Sequence, residues 1–456
     1  LVGSEMCIRD RYYTVLKIRT NFQKGRQEDV MERNDPRYQA YVEILKEELI
    51  PAMGCTEPIA LAYAAAKARE VLGVLPDSVQ LQVSGSIIKN VKSVIVPNTG
   101  HLKGMEAAVA AGIIAGSAEK ELEVISEVSE EKKSAIRDYL QTVPITIEHA
   151  EQGHVFDIVV TERCGQDYAR VRIADYHTNI CRIEKNGTVL YEVPLLDETV
   201  QENARADRSL LNMQDIWDFA ETADLRDVAD LLERQIRYNN AIAEEGLLGD
   251  YGANIGRVLL TTYGNDVSNR AKAKAAAGSD ARMNGCELPV IINSGSGNQG
   301  ITCSVPLIEY AKELHSGKEK LYRALIISNL VAIHEKTGIG TLSAYCGAVS
   351  AGAGAGAGIV YLCGDGYQAA IHTVVNALAI VSGIVCDGAK ASCAAKIASS
   401  VDAALLGYNM YKCNQEFKGG DGIVMKDIET TIKGIGRLGK DGMRQTNEEI
   451  IRLMMS

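Results

Sequence analysis

Cys346, Cys386 and Cys393 are separated by 40 and 7 residues. Thiolates bind soft metals and iron–sulfur clusters, and a close pair joined by a donor from another segment is a common way for ligands to converge. The spacing sets a geometric condition. An unbroken helix from Cys386 to Cys393 would carry the second sulfur about 10 Å along the axis, which is long for two ligands on one cubane. Asp387-Gly388 follows Cys386 directly and signals a turn. A break there lets both sulfurs converge near the start of a helix at about Ala391, whose positive end favours an anionic cluster. The same cysteines also read as small buried apolar residues, and CX6C is not a standard ligand pair in the way that CX2C is. Cys363 is the nearest rival ligand.

A second reactive group lies in the segment PAMGCTEP. Thr56 can cap a helix beginning at Glu57-Pro58, so Cys55 falls at a helix N-terminus, where the dipole lowers a thiol pKa. Glu57 stands beside it; the other reading is a cysteine in a tight turn. A third candidate is the loop Ser294-Gly295-Ser296-Gly297-Asn298-Gln299-Gly300, which precedes a helix. Its glycines expose backbone N–H groups and its polar side chains add hydrogen-bonding partners, so it can hold a phosphate or a carboxylate. It is not a P-loop, because GXXXXGK[ST] is absent, and it also reads as a packing turn. His334 opens HEKTGIG, where Gly338 replaces the second histidine of a zincin, so no zinc-protease reading follows. His101, His149, His154 and His177 are irregularly spaced and read as ordinary polar or core histidines.

The elements that must position these groups follow from periodicity. Asp35-Pro36 opens a helix and apolar residues recur at helical spacing to Leu49; Pro51 and Gly54 break it, and an alanine-rich helix follows. From Asp77 to about Leu196 the pattern changes. VQLQVSGSIIKNVKSVIVP alternates like strands, Met105 to Ala118 is helical, Ser129–Thr142 is helical, and further strands run to a hairpin turn at Asn186-Gly187. Helices resume after that. The uncharged run Thr341–Gly364 is long enough to span a bilayer, but its AGAGAGAG repeat suits close packing in a buried bundle. The expected class is α+β: a mainly helical catalytic core of residues 31–76 and 197–456, holding a buried glycine-rich bundle, with an inserted α+β domain of residues 77–196. Residues 1–30 open without a methionine and read as a non-native or disordered leader, with Met31 as a start.

Composition bounds the function. A net charge of −11 argues against nucleic acid and an anionic membrane as partners. Eleven cysteines without a secretory signal favour a reducing compartment, hence the cytoplasm, with thiols free or bound to metal.

PAMGCTEPIALAYAAA, SGSGNQGI, LSAYCGAVSAGAGAG and VCDGAKASCAAK, in this order, resemble the L-cysteine desulfidase family, which is related to the α chain of iron–sulfur L-serine dehydratases. The likeness covers nearly everything after Met31. It implies an oxygen-sensitive [4Fe–4S] cluster held by Cys346, Cys386 and Cys393, a catalytic part for Cys55, and a carboxylate-holding role for the Ser294–Gln299 loop. The related serine dehydratases end in a cysteine and this sequence ends in RLMMS, which favours the desulfidase branch. The implied reaction is elimination from L-cysteine to pyruvate, ammonia and hydrogen sulfide, with Cys55 the first candidate base and Glu57 the weaker one. The alternatives are an iron–sulfur L-serine dehydratase with the same site and a non-catalytic iron–sulfur protein that binds amino acids. The expected partner is therefore a small amino acid, L-cysteine or L-serine; a homo-oligomer is left open.

Overall fold

The computed structural model describes residues 31–150, 154–194, 205–340 and 343–455. The 1–30 leader expectation lies outside the described residues. The first half runs α1 (Pro36–Glu48), β1 (Pro51–Met53), α2 (Thr56–Leu72), β2 (Ser78–Val83), α3 (Gly85–Val91), α4 (Gly104–Ala115) and α5 (Glu130–Thr142). Strands β3 (Ile145–His149), β4 (Asp157–Cys164), β5 (Asp167–Ala174), β6 (Ile180–Lys185) and β7 (Thr188–Glu192) follow. The second half is helical apart from one short strand: α6 (Met213–Thr222), α7 (Ala229–Leu248), α8 (Ile255–Tyr263), α9 (Val267–Met283), β8 (Pro289–Ile291), α10 (Gly297–Glu313) and α11 (Lys318–Ile339). It closes with α12 (Gly347–Cys363), α13 (Tyr367–Val381), α14 (Ser392–Lys412), α15 (Ile428–Arg437) and α16 (Arg444–Met455). The class is α+β, as the periodicities predict.

Six strands form one mixed sheet in the order β3-β2-β4-β5-β6-β7. Only the β2–β3 pair is parallel, because α3 to α5 cross between those strands; the others are antiparallel neighbours. The β6–β7 hairpin turns at Asn186-Gly187, where both residues have positive φ (48° and 81°), as a type I′ turn requires. Helix α2 lies on the face of β4 and β5 and also packs against α4. Its alanines are buried, and its N-terminal end faces away toward the helical half.

One expectation is corrected here. The stretch after Val83 is not strand: Gly85–Val91 is the short helix α3. Ile87, Ile88 and Val91 fall one and four residues apart, a helical spacing that the neighbouring alternation of β2 conceals. All seven residues of α3 are buried.

The helical half is built around α12, which contacts α10, α11, α13 and α14. Small residues permit that approach. A Cβ placed on Gly354 would lie 2.4 Å from the Ser328 carbonyl oxygen of α11, so the two backbones are in direct contact there. One continuous core runs from α1 through the sheet to this bundle. Among the described residues no helix is long and apolar enough to cross a membrane.

Candidate active site

Two short pairings bring the distant motifs together. In the first, β1 and β8 form an antiparallel ribbon with Pro51 opposite Ile291 and Met53 opposite Pro289. It couples the segments that follow: the Thr56 hydroxyl donates to the Gly295 carbonyl at 3.1 Å. Asn293 and Ser296 exchange backbone hydrogen bonds of 3.1 and 3.0 Å around Ser294 and Gly295, both at positive φ. Helix α10 then starts at Gly297, so Gly297, Asn298 and Gln299 are its first turn rather than part of a loop. Cys55, not Thr56, occupies the N-cap position of α2.

The second pairing is a single bridge between Tyr345 and Val385. The Cys346 N–H donates to Ile384 O at 3.1 Å and the Cys386 N–H to Ala344 O at 2.6 Å. Cys346 and Cys386 are thereby held on adjacent strands of backbone. The chain breaks after Asp387 as the turn signal predicts: Gly388 has φ +93°, and α14 begins at Ser392. The turn folds Cys393 back, with its thiol 3.5 Å from the Gly388 carbonyl. A Cβ on Gly388 would lie 2.1 Å from Lys89 O, so α3 presses on this turn.

The three thiols interact electrostatically. Burial first, then Cys386, then Cys393 push the Cys346 thiol up. Cys393 is also raised, by burial and by Cys386. All three remain partly accessible, so together they border an opening to solvent, the cleft of this site. Lysines line it. Lys89, 1 % exposed, and Lys336, 7 % exposed, are both within reach of Cys346 and Cys386. Burial lowers the Lys336 ammonium to about 8 against the pull of those thiols. Lys396 of α14 acts on Cys346 and Cys393. Among the described residues no three His, Cys, Asp or Glu side chains converge closely enough to hold a single metal ion. Ligands of an iron–sulfur cluster bind different irons and stand further apart, and three thiols near Lys89, Lys336 and Lys396, the last of these ion-paired with Asp387, suit an anionic cluster. The rival Cys363 is exposed at the last residue of α12, about 25 Å from Cys346 at the ordinary helical rise.

Cys55 and Glu57 form the other wall. The Cys55 thiol donates to Glu57 Oε2 at 3.1 Å, the Thr56 hydroxyl to the same oxygen at 3.1 Å, and the Asn90 amide to Oε1 at 3.0 Å. Asn90 comes from α3, beside Lys89. Burial would raise the Glu57 carboxyl, but His177, the Cys55 thiol and Arg282 outweigh it and hold it below its ordinary value. Cys55 moves the opposite way: burial and then the Glu57 charge push its thiol well up. This corrects the expectation that the helix N-terminus lowers it. The dipole contributes too little to offset removal from water beside a carboxylate.

Two further residues of this region carry no site signal in the sequence, which reads His177 as an ordinary polar or core histidine and does not single out Arg282. His177, between β5 and β6, is 8 % exposed and packs edge-on against Phe156 with ring centres 4.8 Å apart. It lies over Gly295, and its Nε2 is buried without a partner. Arg282, on the last turn of α9, is 2 % exposed. Its charge acts on Cys55, Glu57 and Cys393. The predicted Asn298 meets it, accepting from Arg282 Nη1 at 3.2 Å. Gln299 packs on Gly347, directly after Cys346, with its Oε1 buried and unpartnered.

Residues 119–452, which include Arg282, the Ser294–Gln299 stretch and all three clustered cysteines, match the family model of the serine dehydratase alpha chain. The chain belongs to the serine dehydratase alpha chain family. The matched span begins after Cys55 and Glu57, but full-length relatives extend the likeness. A UPF0597 protein of Desulfitobacterium hafniense is 61 % identical over 93 % of this chain and 99 % of its own length. One from Lachnoclostridium phytofermentans is 52 % identical over 92 % of this chain and 100 % of its own. One from Treponema denticola is 46 % identical over 93 % and 100 %. The likeness to these UPF0597 proteins covers more than nine-tenths of the chain, beyond the residues that the family model matches.

Proposed function

We propose that this protein is an iron–sulfur-dependent lyase that eliminates the β-substituent of a small L-amino acid, with L-cysteine as substrate. The observation that carries this reading is the convergence of the motifs: the Tyr345–Val385 bridge sets Cys346 beside Cys386, the Gly388 turn folds Cys393 back, and α3, which presses on that turn through Lys89, also holds Glu57 of the Cys55–Glu57 pair through Asn90. Cys346, Cys386 and Cys393 would hold a [4Fe–4S] cluster, which, when bound through only three protein ligands, supplies an iron with an open position as a Lewis acid for the leaving group.

The chain's own residues supply the proton chemistry. At rest Glu57 holds the negative charge and Cys55 holds the proton. Transfer of the Cys55 proton to Glu57 along their hydrogen bond makes a thiolate whose burial keeps it strongly basic. That thiolate takes the substrate α proton. The Cα–H electron pair becomes the Cα=Cβ bond, the Cβ–S bond breaks, and sulfur leaves as hydrosulfide. The aminoacrylate released tautomerises to an imine, and water converts it to pyruvate and ammonia. Lys89 and Lys336 offset negative charge on the thiolate wall. Asn90 and Thr56 orient Glu57, and the Ser294–Gln299 segment would hold the amino-acid end of the substrate.

The family name favours a second substrate, L-serine, whose hydroxyl would leave in place of sulfide. Anaerobically purified protein is assayed with each amino acid, and sulfide, ammonia and pyruvate are measured. Equimolar sulfide and pyruvate from cysteine, with slower pyruvate formation from serine, is expected. Faster turnover of serine moves the reading to a dehydratase. Turnover of neither amino acid, by protein with about four irons per chain, overturns the elimination reading.

A further inference from the structure

A guanidinium in a protein interior ordinarily meets a carboxylate, because removing the charge from water is costly unless an anion and hydrogen bonds replace it. Arg282 has neither in full. It is 2 % exposed, its Nε is buried without a partner, and among the described residues no carboxylate lies within salt-bridge distance of it. Its hydrogen bond is to the neutral amide oxygen of Asn298. The packing makes room for it deliberately: a Cβ on Gly297 would lie 2.2 Å from Arg282 Nε and 2.7 Å from Val290 Cγ2, so glycine at the start of α10 admits the guanidinium. The guanidinium therefore lies at the start of α10, between Gly295, which Thr56 of α2 bonds, and Gln299, which packs on Gly347 beside Cys346, with its Nε hydrogen-bonding capacity unused.

Two more buried polar atoms of the same region lack partners, His177 Nε2 and Gln299 Oε1. An orphaned cationic donor close to an orphaned acceptor suits a small zwitterion. A carboxylate would pair with Arg282, where two N–H bonds of the planar fork give both charge and direction. Asn298, whose Oδ1 is taken up by Arg282, would then orient the arginine rather than receive the anion through that atom.

We propose that Arg282 binds the α-carboxylate of the substrate and so makes the site selective for amino acids over simple amines. This rests on the elimination reading for the identity of the substrate, but its test does not require turnover. Two probes divide the substrate: 3-mercaptopropionate has the thiol and carboxylate without the amine, and cysteamine has the thiol and amine without the carboxylate. Binding of each to iron-replete wild-type, Arg282→Lys and Arg282→Met proteins is measured by anaerobic calorimetry, with iron content determined on the same samples.

Arg282→Met should weaken 3-mercaptopropionate by roughly 10- to 150-fold, as for a lost charge-assisted hydrogen-bond pair, and leave cysteamine and the iron content unchanged. Arg282→Lys keeps the charge but loses the fork, so it should give a smaller loss confined to 3-mercaptopropionate. Unchanged 3-mercaptopropionate binding, or equal weakening of both probes, overturns the proposal. If Arg282→Met does not fold, the same criteria applied to Arg282→Lys decide it. A wild-type protein that turns over neither cysteine nor serine, yet shows this Arg282-dependent selectivity, would refute the reaction and keep the carboxylate site.

Discussion

Glu57 and Glu335 are both carboxyl groups set among helices, and they are held in opposite states. Glu57 borders the cleft, retains an opening to solvent, and accepts from Cys55, Thr56 and Asn90. Its partners keep it ionised. Glu335 lies in α11, inside the bundle, 1 % exposed, with only the Ser350 hydroxyl of α12 beside it to offset burial. Burial pushes it well above its ordinary value, so it stays neutral. Yet Lys336, the next residue on the same helix, reaches the Cys346–Cys386 wall. One helix thus contributes a charge to the cleft and a neutral acid to the bundle. Burial alone does not make a carboxyl reactive; the donors arranged around it decide which state it takes.

That contrast can be broken at four places. The largest effect is expected at the two ends of α12. Cys346→Ala should lose the iron and all activity, whereas Cys363→Ala, at the far end of the same helix, should keep both. Iron counts on anaerobic protein check this, and equal iron loss in the two variants would refute the ligand set. Next are the two carboxyl groups. Glu57→Gln removes the acceptor for the Cys55 proton and should lower kcat by about 10²- to 10⁴-fold with iron intact, while Glu335→Gln should leave kcat within about twofold of wild type. Steady-state pyruvate formation measures both, and comparable losses would erase the distinction between cleft and bundle.

Packing gives the third test. Gly354→Ala should destabilise by about 1–3 kcal/mol through overpacking against Ser328 O, despite alanine's better helix propensity. A raised melting temperature would show that α11 and α12 are not in backbone contact there. The fourth test is a pH dependence. Above the ordinary value of 4.5, Glu335 is ionised in the unfolded chain but protonated in the folded one. The folded state then binds the extra proton, so this group's contribution lowers stability as pH rises, by about 1 kcal/mol per unit, until the folded group itself ionises. Glu335→Gln cannot ionise in either state. Its melting temperature relative to wild type should therefore climb from pH 5 to pH 8; a constant difference would mean that Glu335 is charged in the fold.

The sequence by itself determined the local structure and the chemical vocabulary of the site. Helical spacing, the Asn186-Gly187 turn and the Asp387-Gly388 break are set by neighbours a few residues apart, and each is found where the local signal lies. It failed locally at Gly85–Val91, where isoleucine pairs suit either period and burial on all sides removed the polar face that would have separated them. Cys346, Cys386, Cys393, Cys55, Glu57 and Asn298 could be named from residue type and spacing. Their states could not. The Cys55 pKa depends on being sealed beside Glu57, which outweighs the helix end that sequence makes visible. Lys89, Asn90, His177, Arg282 and Lys336 reach the cleft from α3, the β5–β6 turn, α9 and α11. No spacing rule links them, because desolvation and Coulomb interactions follow distance in space, and only the tertiary structure sets that distance.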